Sequence, residues 1–239
     1  MKKIKFNTFN IVATSLLVSS LFVTNLYATP TGSDEITLTL GVNRDGSNNG
    51  GEFILKGTNS TENIDYDYIT FCLEVGKFFS PGKTYAVESV EDYASDGGFG
   101  AVEGKDYISN ATKWLMNTYI NDKSVLTDKF KSFSLLNLGS KVQEAIWYFE
   151  DEISDENDIV TWITDNWETT LGQTNDWDAY TATFLTNVQV VNITSYDLYE
   201  NRVDNQSQLF ADPVPEPATM LLFGTGLAGL AGISRRRKK

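Results

Sequence analysis

The hydrophobic pattern changes period twice along the chain, and that limits the architectures open to it. Glu35-Ile36-Thr37-Leu38-Thr39-Leu40 alternates with period two, as a half-buried strand does. Glu52 to Lys56, Tyr66 to Glu74 and Lys83 to Tyr93 continue the strand reading. Pro81-Gly82 and Ser95-Asp96-Gly97-Gly98 bound the last of them. From Asp106 to Asn121 the period becomes helical, with Ile108, Ala111, Leu115 and Tyr119 in register. A second helix, capped by Gly139 or Ser140, runs to about Asp151 with Val142, Ile146 and Phe149 as its buried stripe. A third helical section extends from Val160 toward Thr183. Strand character returns at Val188 to Tyr199, with Val190, Ile193, Tyr196 and Leu198 as candidate core residues. Strands, then helices, then strands predict an α+β fold: an antiparallel β-sandwich or barrel with an inserted α-helical subdomain. Val203 to Asp212 is polar and then punctuated by proline, and reads as a linker.

Both ends carry targeting features. Lys2, Lys3 and Lys5 precede an apolar run from Ile11 to Val23, and Leu26-Tyr27-Ala28 offers a small residue for cleavage. That order marks residues 1–28 as a secretory signal peptide. At the other end Val214-Pro215-Glu216-Pro217 precedes an apolar run over 218–233, closed by Arg235, Arg236, Arg237, Lys238 and Lys239. The run is somewhat shorter than the ~20 residues of a comfortable spanning helix, and the basic cluster predicts a cytoplasmic end. Gly224-Thr225-Gly226-Leu227-Ala228-Gly229 matches a dinucleotide-binding pattern, but no strand precedes it and it lies within the apolar run. Residues 213–239 resemble the PEP-CTERM sorting signal of Gram-negative bacteria, through Pro215, Glu216 and Pro217, the Gly-rich apolar run and the basic terminus. The resemblance implies a C-terminal hydrophobic sorting helix and transient anchoring in the inner membrane. It also implies processing by an exosortase-type protease and release to the cell surface or extracellular matrix.

The exported body, residues 29–212, has 11 basic against 31 acidic residues, a net of −20. Such a surface repels nucleic acid and anionic lipid. The chain has no histidine and one cysteine, Cys72. Ser-His-Asp and Cys-His pairs and His-ligated zinc are therefore excluded. An exported chain with a single cysteine forms no internal disulfide, which leaves an intermolecular pair or a thiol with a special use. No cofactor and no metal site is expected.

Cys72 ends a run of strand-forming residues. Gln143 is placed one residue inside the second helix, with Trp147 four residues on along an adjacent face. Brought together by the fold, the thiol could attack the Gln143 amide carbon and expel ammonia, storing an acyl-thioester until a nucleophile arrives. Phe71-Cys72-Leu73 and Val142-Gln143-Glu144-Ala145-Ile146-Trp147 are similar to the paired motifs of bacterial thioester domains from surface adhesins. The intervening helix around Trp114 resembles their helical insert. The resemblance implies a Cys72–Gln143 crosslink supported by Phe71, Leu73, Val142, Ile146 and Trp147. It further implies covalent attachment to amine or hydroxyl groups on a surface or matrix partner, with no enzymatic turnover. The alternative is a noncovalent exopolysaccharide or biofilm-matrix structural protein in which Cys72 is an inert buried thiol. Paired carboxylates at Asp34-Glu35, Asp65 with Asp67, Asp92 and Asp151 to Asp158 are expected by chance in so acidic a chain. Asn43 to Asn49 lacks the spacing of a calcium loop.

Overall fold

The computed structural model describes residues 28–44, 50–95, 97–98, 101–166 and 187–213. The alternating segments become β1 (Glu35–Leu40), β2 (Phe53–Asn59), β3 (Ile64–Cys72) and β4 (Thr84–Glu91). Two short strands follow, β5 (Tyr93–Ala94) and β6 (Asp106–Tyr107), paired with each other. The helical section holds α1 (Asn110–Asn121), α2 (Lys123–Lys129), α3 (Leu135–Phe149) and α4 (Asp158–Asp165). The chain then returns to β7 (Val188–Tyr196), β8 (Arg202–Asp204) and β9 (Gln208–Ala211). Six strands close in the order β1, β2, β3, β9, β7, β4 and back to β1, every pair antiparallel. Of the two architectures expected, the barrel is the one observed, with the helices inserted between β6 and β7. Strand β7 is long enough to pair with β4 along one edge, and with β9 and then β8 along the other.

Period two sorts the side chains into two cores. Ile36, Leu38, Leu55, Tyr66, Tyr68, Val191, Ile193 and Phe210 fill the barrel. From the outer faces of β3, β7 and β9, Phe71, Leu73, Val190 and Leu209 pack under the helices against Leu115, Val142 and Ile146. Phe71 and Tyr119 meet edge to face with ring centroids 5.0 Å apart. Ser109, Ser134 and Asn157 cap α1, α3 and α4 through side-chain oxygens, each worth about 1 kcal/mol.

Three expectations change. The expected linker over 203–212 contains most of β8 and all of β9, and β9 is a buried stave of the barrel whose four residues are too few to show a period. Tyr196 and Leu198 are not core: they are 68% and 99% exposed, because β7 has by then passed the barrel rim. The first helix starts at Asn110, because Asp106 and Tyr107 pair with β5. The signal peptide, the apolar C-terminus and the section from 167 to 186 lie outside the described residues. Among the described residues no helix is long and apolar enough to cross a membrane.

Candidate functional site

Cys72 is the last residue of β3, at a point where the sheet loses a strand. Pairing of β2 with β3 ends at Phe53 opposite Thr70. The same register would set Gly51 against Cys72, but Gly50 and Gly51 have φ of 82° and 116° and turn the chain aside. Leu73 N–H donates to the Ser207 carbonyl of the neighbouring segment. Strand alternation therefore points the Cys72 N–H and C=O toward the gap that β2 leaves. The Gln143 side chain fills that gap. Cys72 N–H donates to Gln143 Oε1 at 2.8 Å, and Gln143 Nε2–H donates to the Cys72 carbonyl at 2.7 Å. A side-chain amide thus pairs with the strand as one more backbone residue would. Cys72 is 2% exposed and Gln143 0%, so leaving these backbone groups unpaired would be expensive.

Gln143 is held from above by α3 and from below by glycine. The sequence places it near the helix start. It is instead the ninth of fifteen residues, because Ser134 provides the cap and Gly139-Ser140 lie within the helix. Gly139 is needed there for close approach: a Cβ would fall 1.9 Å from the Asn43 carbonyl oxygen. Val142 and Ile146 anchor α3 in the core with Phe71 and Leu73. The adjacent face carries Gln143 and Trp147 to the barrel mouth, where Trp147 clusters with Cys72 and Phe53. A Cβ on Gly50 would lie 2.5 Å from Gln143 Cγ and 2.9 Å from the Trp147 ring. Among the described residues the buried Trp147 Nε1–H has no acceptor.

Burial pushes the Cys72 thiol well above its ordinary pKa, and the Glu74 carboxylate adds to this. A hydrogen bond from Gln208 and the Arg44 guanidinium act in the opposite direction. Gln208 Nε2 lies 3.8 Å from Cys72 Sγ, and Arg44 stacks over Phe53 at 4.3 Å from the ring centroid. Glu74 is buried and accepts from Ser207 N–H at 2.8 Å and Ser207 Oγ at 3.0 Å. Its pKa is raised by burial.

The fold thus brings Cys72 and Gln143 together across 71 residues, with Phe71, Leu73, Val142, Ile146 and Trp147 packed around them. Gln208, Gly50 and Arg44 were not singled out in the sequence. No local motif marks them, because each earns its place only through the closed barrel. Of the other acidic candidates, Asp151 and Glu152 lie near Asp106, while Asp34 and Asp65 serve local structure. Asp34 holds the turn at Thr31 and the Tyr66 hydroxyl, and Asp65 bonds Thr58 on the surface. Asn43 binds Glu52 and Tyr119. Among the described residues no group of three His, Cys, Asp or Glu could hold a metal ion. Pro215, Glu216 and Pro217 lie outside the described residues.

The family model for the PEP-CTERM protein-sorting motif matches residues 213–238. The chain carries a PEP-CTERM protein-sorting motif. The motif implies exosortase-dependent processing and indicates export, to the cell surface or beyond it. No curated protein matches the chain. The structure is similar to the N-terminal domain of the Streptococcus pyogenes pilus tip adhesin Cpa, at 12% identity and a TM-score of 0.41, over 79% of this chain and 98% of that one. It is similar to the N-terminal thioester domain of a Clostridium perfringens surface protein, at 16% identity and a TM-score of 0.40, over 76% and 99% of the two chains. The N-terminal thioester domain of the S. pyogenes fibronectin-binding protein SfbI shares 13% identity at a TM-score of 0.39, over 78% and 96%.

Proposed function

We propose that residues 29–212 form a covalent attachment domain, in which Cys72 and Gln143 join as an internal thioester that reacts with amine or hydroxyl groups on a surface or matrix partner. The observation that carries this reading is the pairing of the buried Gln143 amide with the backbone of Cys72, the chain's single cysteine. Formation is balanced without a co-reactant. Sulfur attacks Gln143 Cδ, the C–N bond breaks, and the thiol proton departs with the amide nitrogen as ammonia. Capture reverses the roles: a partner nitrogen or oxygen attacks Cδ, the C–S bond breaks, and the sulfur regains a proton. The domain reacts once and is not an enzyme. Burial of both residues protects the bond from water. A partner therefore reaches Cδ only after Trp147 or the Gly50-Gly51 turn moves aside.

The test is incorporation of a fluorescent primary amine. The proposal expects label on Gln143 by peptide mass spectrometry, with Cys72 becoming reactive to maleimide in the same molecules. Cys72→Ala and Gln143→Ala should each abolish labelling. Absence of label on folded wild-type protein, together with an alkylatable Cys72, would favour the second reading. In that reading the Gln143 amide is a structural clamp, already satisfied by its two hydrogen bonds, and the domain is a noncovalent matrix component.

A further inference from the structure

A second glutamine addresses the cysteine from the opposite strand. Gln208 on β9 is the direct cross-strand partner of Cys72 and is fully buried. Both side chains project from the barrel-facing side of their strands, and Cys72 clusters there with Phe53 and Trp147. A leucine would satisfy that environment, and a buried amide there is costly unless its polar atoms are used. All are in use. Gln208 Oε1 accepts from Thr70 Oγ1 at 3.2 Å. One Nε2 hydrogen goes to the Gln206 carbonyl at 3.1 Å, and Nε2 faces Cys72 Sγ at 3.8 Å. The Gln206 carbonyl fixes the sense of the amide, because a flip would set oxygen against oxygen. The sulfur therefore faces a donor.

We propose that Gln208 is a positioning residue that holds the Cys72 sulfur through an N–H···S hydrogen bond, favouring its anionic form both as it attacks Gln143 and as it leaves when a partner captures the acyl group. This rests on the thioester reading and divides the work between two amides. Gln143 supplies the acyl carbon and is consumed, while Gln208 steadies the sulfur and is retained. A donor acts on charge that exists only while the C–S bond is forming or breaking, so its effect falls on rate.

The sign of one measurement separates this role from a packing role. In a Gln143→Ala background, where Cys72 stays a thiol, iodoacetamide alkylation at fixed pH reports thiolate. Gln208→Leu should slow alkylation about tenfold, the effect of one net hydrogen bond to a charged group. Simple loosening of the barrel would expose the thiol and speed it. If Gln208→Leu does not fold, Gln208→Met carries the same expectation, because it keeps the side-chain length and places no donor at the sulfur. Raising the pH should restore the Gln208→Leu rate, which added access would not require. With Gln143 intact, Gln208→Leu should also lose ammonia more slowly on refolding. If wild-type domain loses ammonia but Gln208→Leu loses it as fast and alkylates no more slowly, Gln208 has no such role. If wild-type domain keeps its ammonia, the thioester reading fails first.

Discussion

At Gln143 a single side chain closes a gap in a sheet and, on the proposed reading, supplies the acyl carbon, so one substitution removes both. Gln143→Ala leaves a buried N–H and C=O of Cys72 without partners. It should lower stability by about 2–4 kcal/mol, read as a shift in denaturant midpoint, besides removing any thioester. Gly50→Ala should act on the same amide from below. Its φ of 82° disfavours alanine, and the new methyl would press on Gln143 Cγ. A loss of about 1–3 kcal/mol is expected, with slower amine labelling at position 143. Cys72 and Gln143 were legible in the sequence because each sits in a local motif with apolar neighbours that hold the backbone. Gln208 was not, since Gln206-Ser207-Gln208 reads as polar surface until β9 is known to close the barrel.

β9 shows what a short element can carry. Its residues all face a core, Leu209 toward the helices and Phe210 toward the barrel interior. Phe210→Ala should cost about 3–5 kcal/mol, which equilibrium unfolding would measure, and a true linker would tolerate the change. The longer strands were readable because six to nine residues display a period; four do not. The start of α3 was misplaced for a related reason. Gly139 reads as a cap in sequence, whereas in three dimensions it makes room for the Asn43 carbonyl. Where α3 ends, Glu150 accepts from Ser109 N–H at the start of α1. Burial lifts the Glu150 pKa to about 7, and Asp106 nearby adds to it. Asp106 itself is lifted to about 6 by burial and by Glu152. Raised carboxylate pKa values favour the protonated folded form. Their contribution is full below the ordinary carboxylate range and is lost as pH rises through about 6 to 7. Melting temperature should therefore fall between about pH 4 and pH 7 and level off above, and Glu150→Gln should flatten that slope.

Across the whole molecule, Cys72 lies away from the place where the two ends of the described body meet. The Tyr68 hydroxyl lies 2.9 Å from the Ala28 carbonyl and 2.8 Å from the Asp212 carboxylate, so both ends of the body meet at one place. Four residues further along β3, about 13 Å at strand rise, Cys72 sits toward the other end. Protein recovered from the cell surface should begin near Thr29 and lack the apolar run over 218–233, as N-terminal sequencing and peptide mapping would establish. The central claim is most directly tested by intact mass of the folded, purified domain, before and after methylamine. A thioester predicts a species lighter by one ammonia than its sequence, restored by one methylamine with release of one thiol, and no deficit in Cys72→Ala or Gln143→Ala. Full sequence mass in gently handled wild-type domain, with Cys72 alkylating as a thiol, would contradict it.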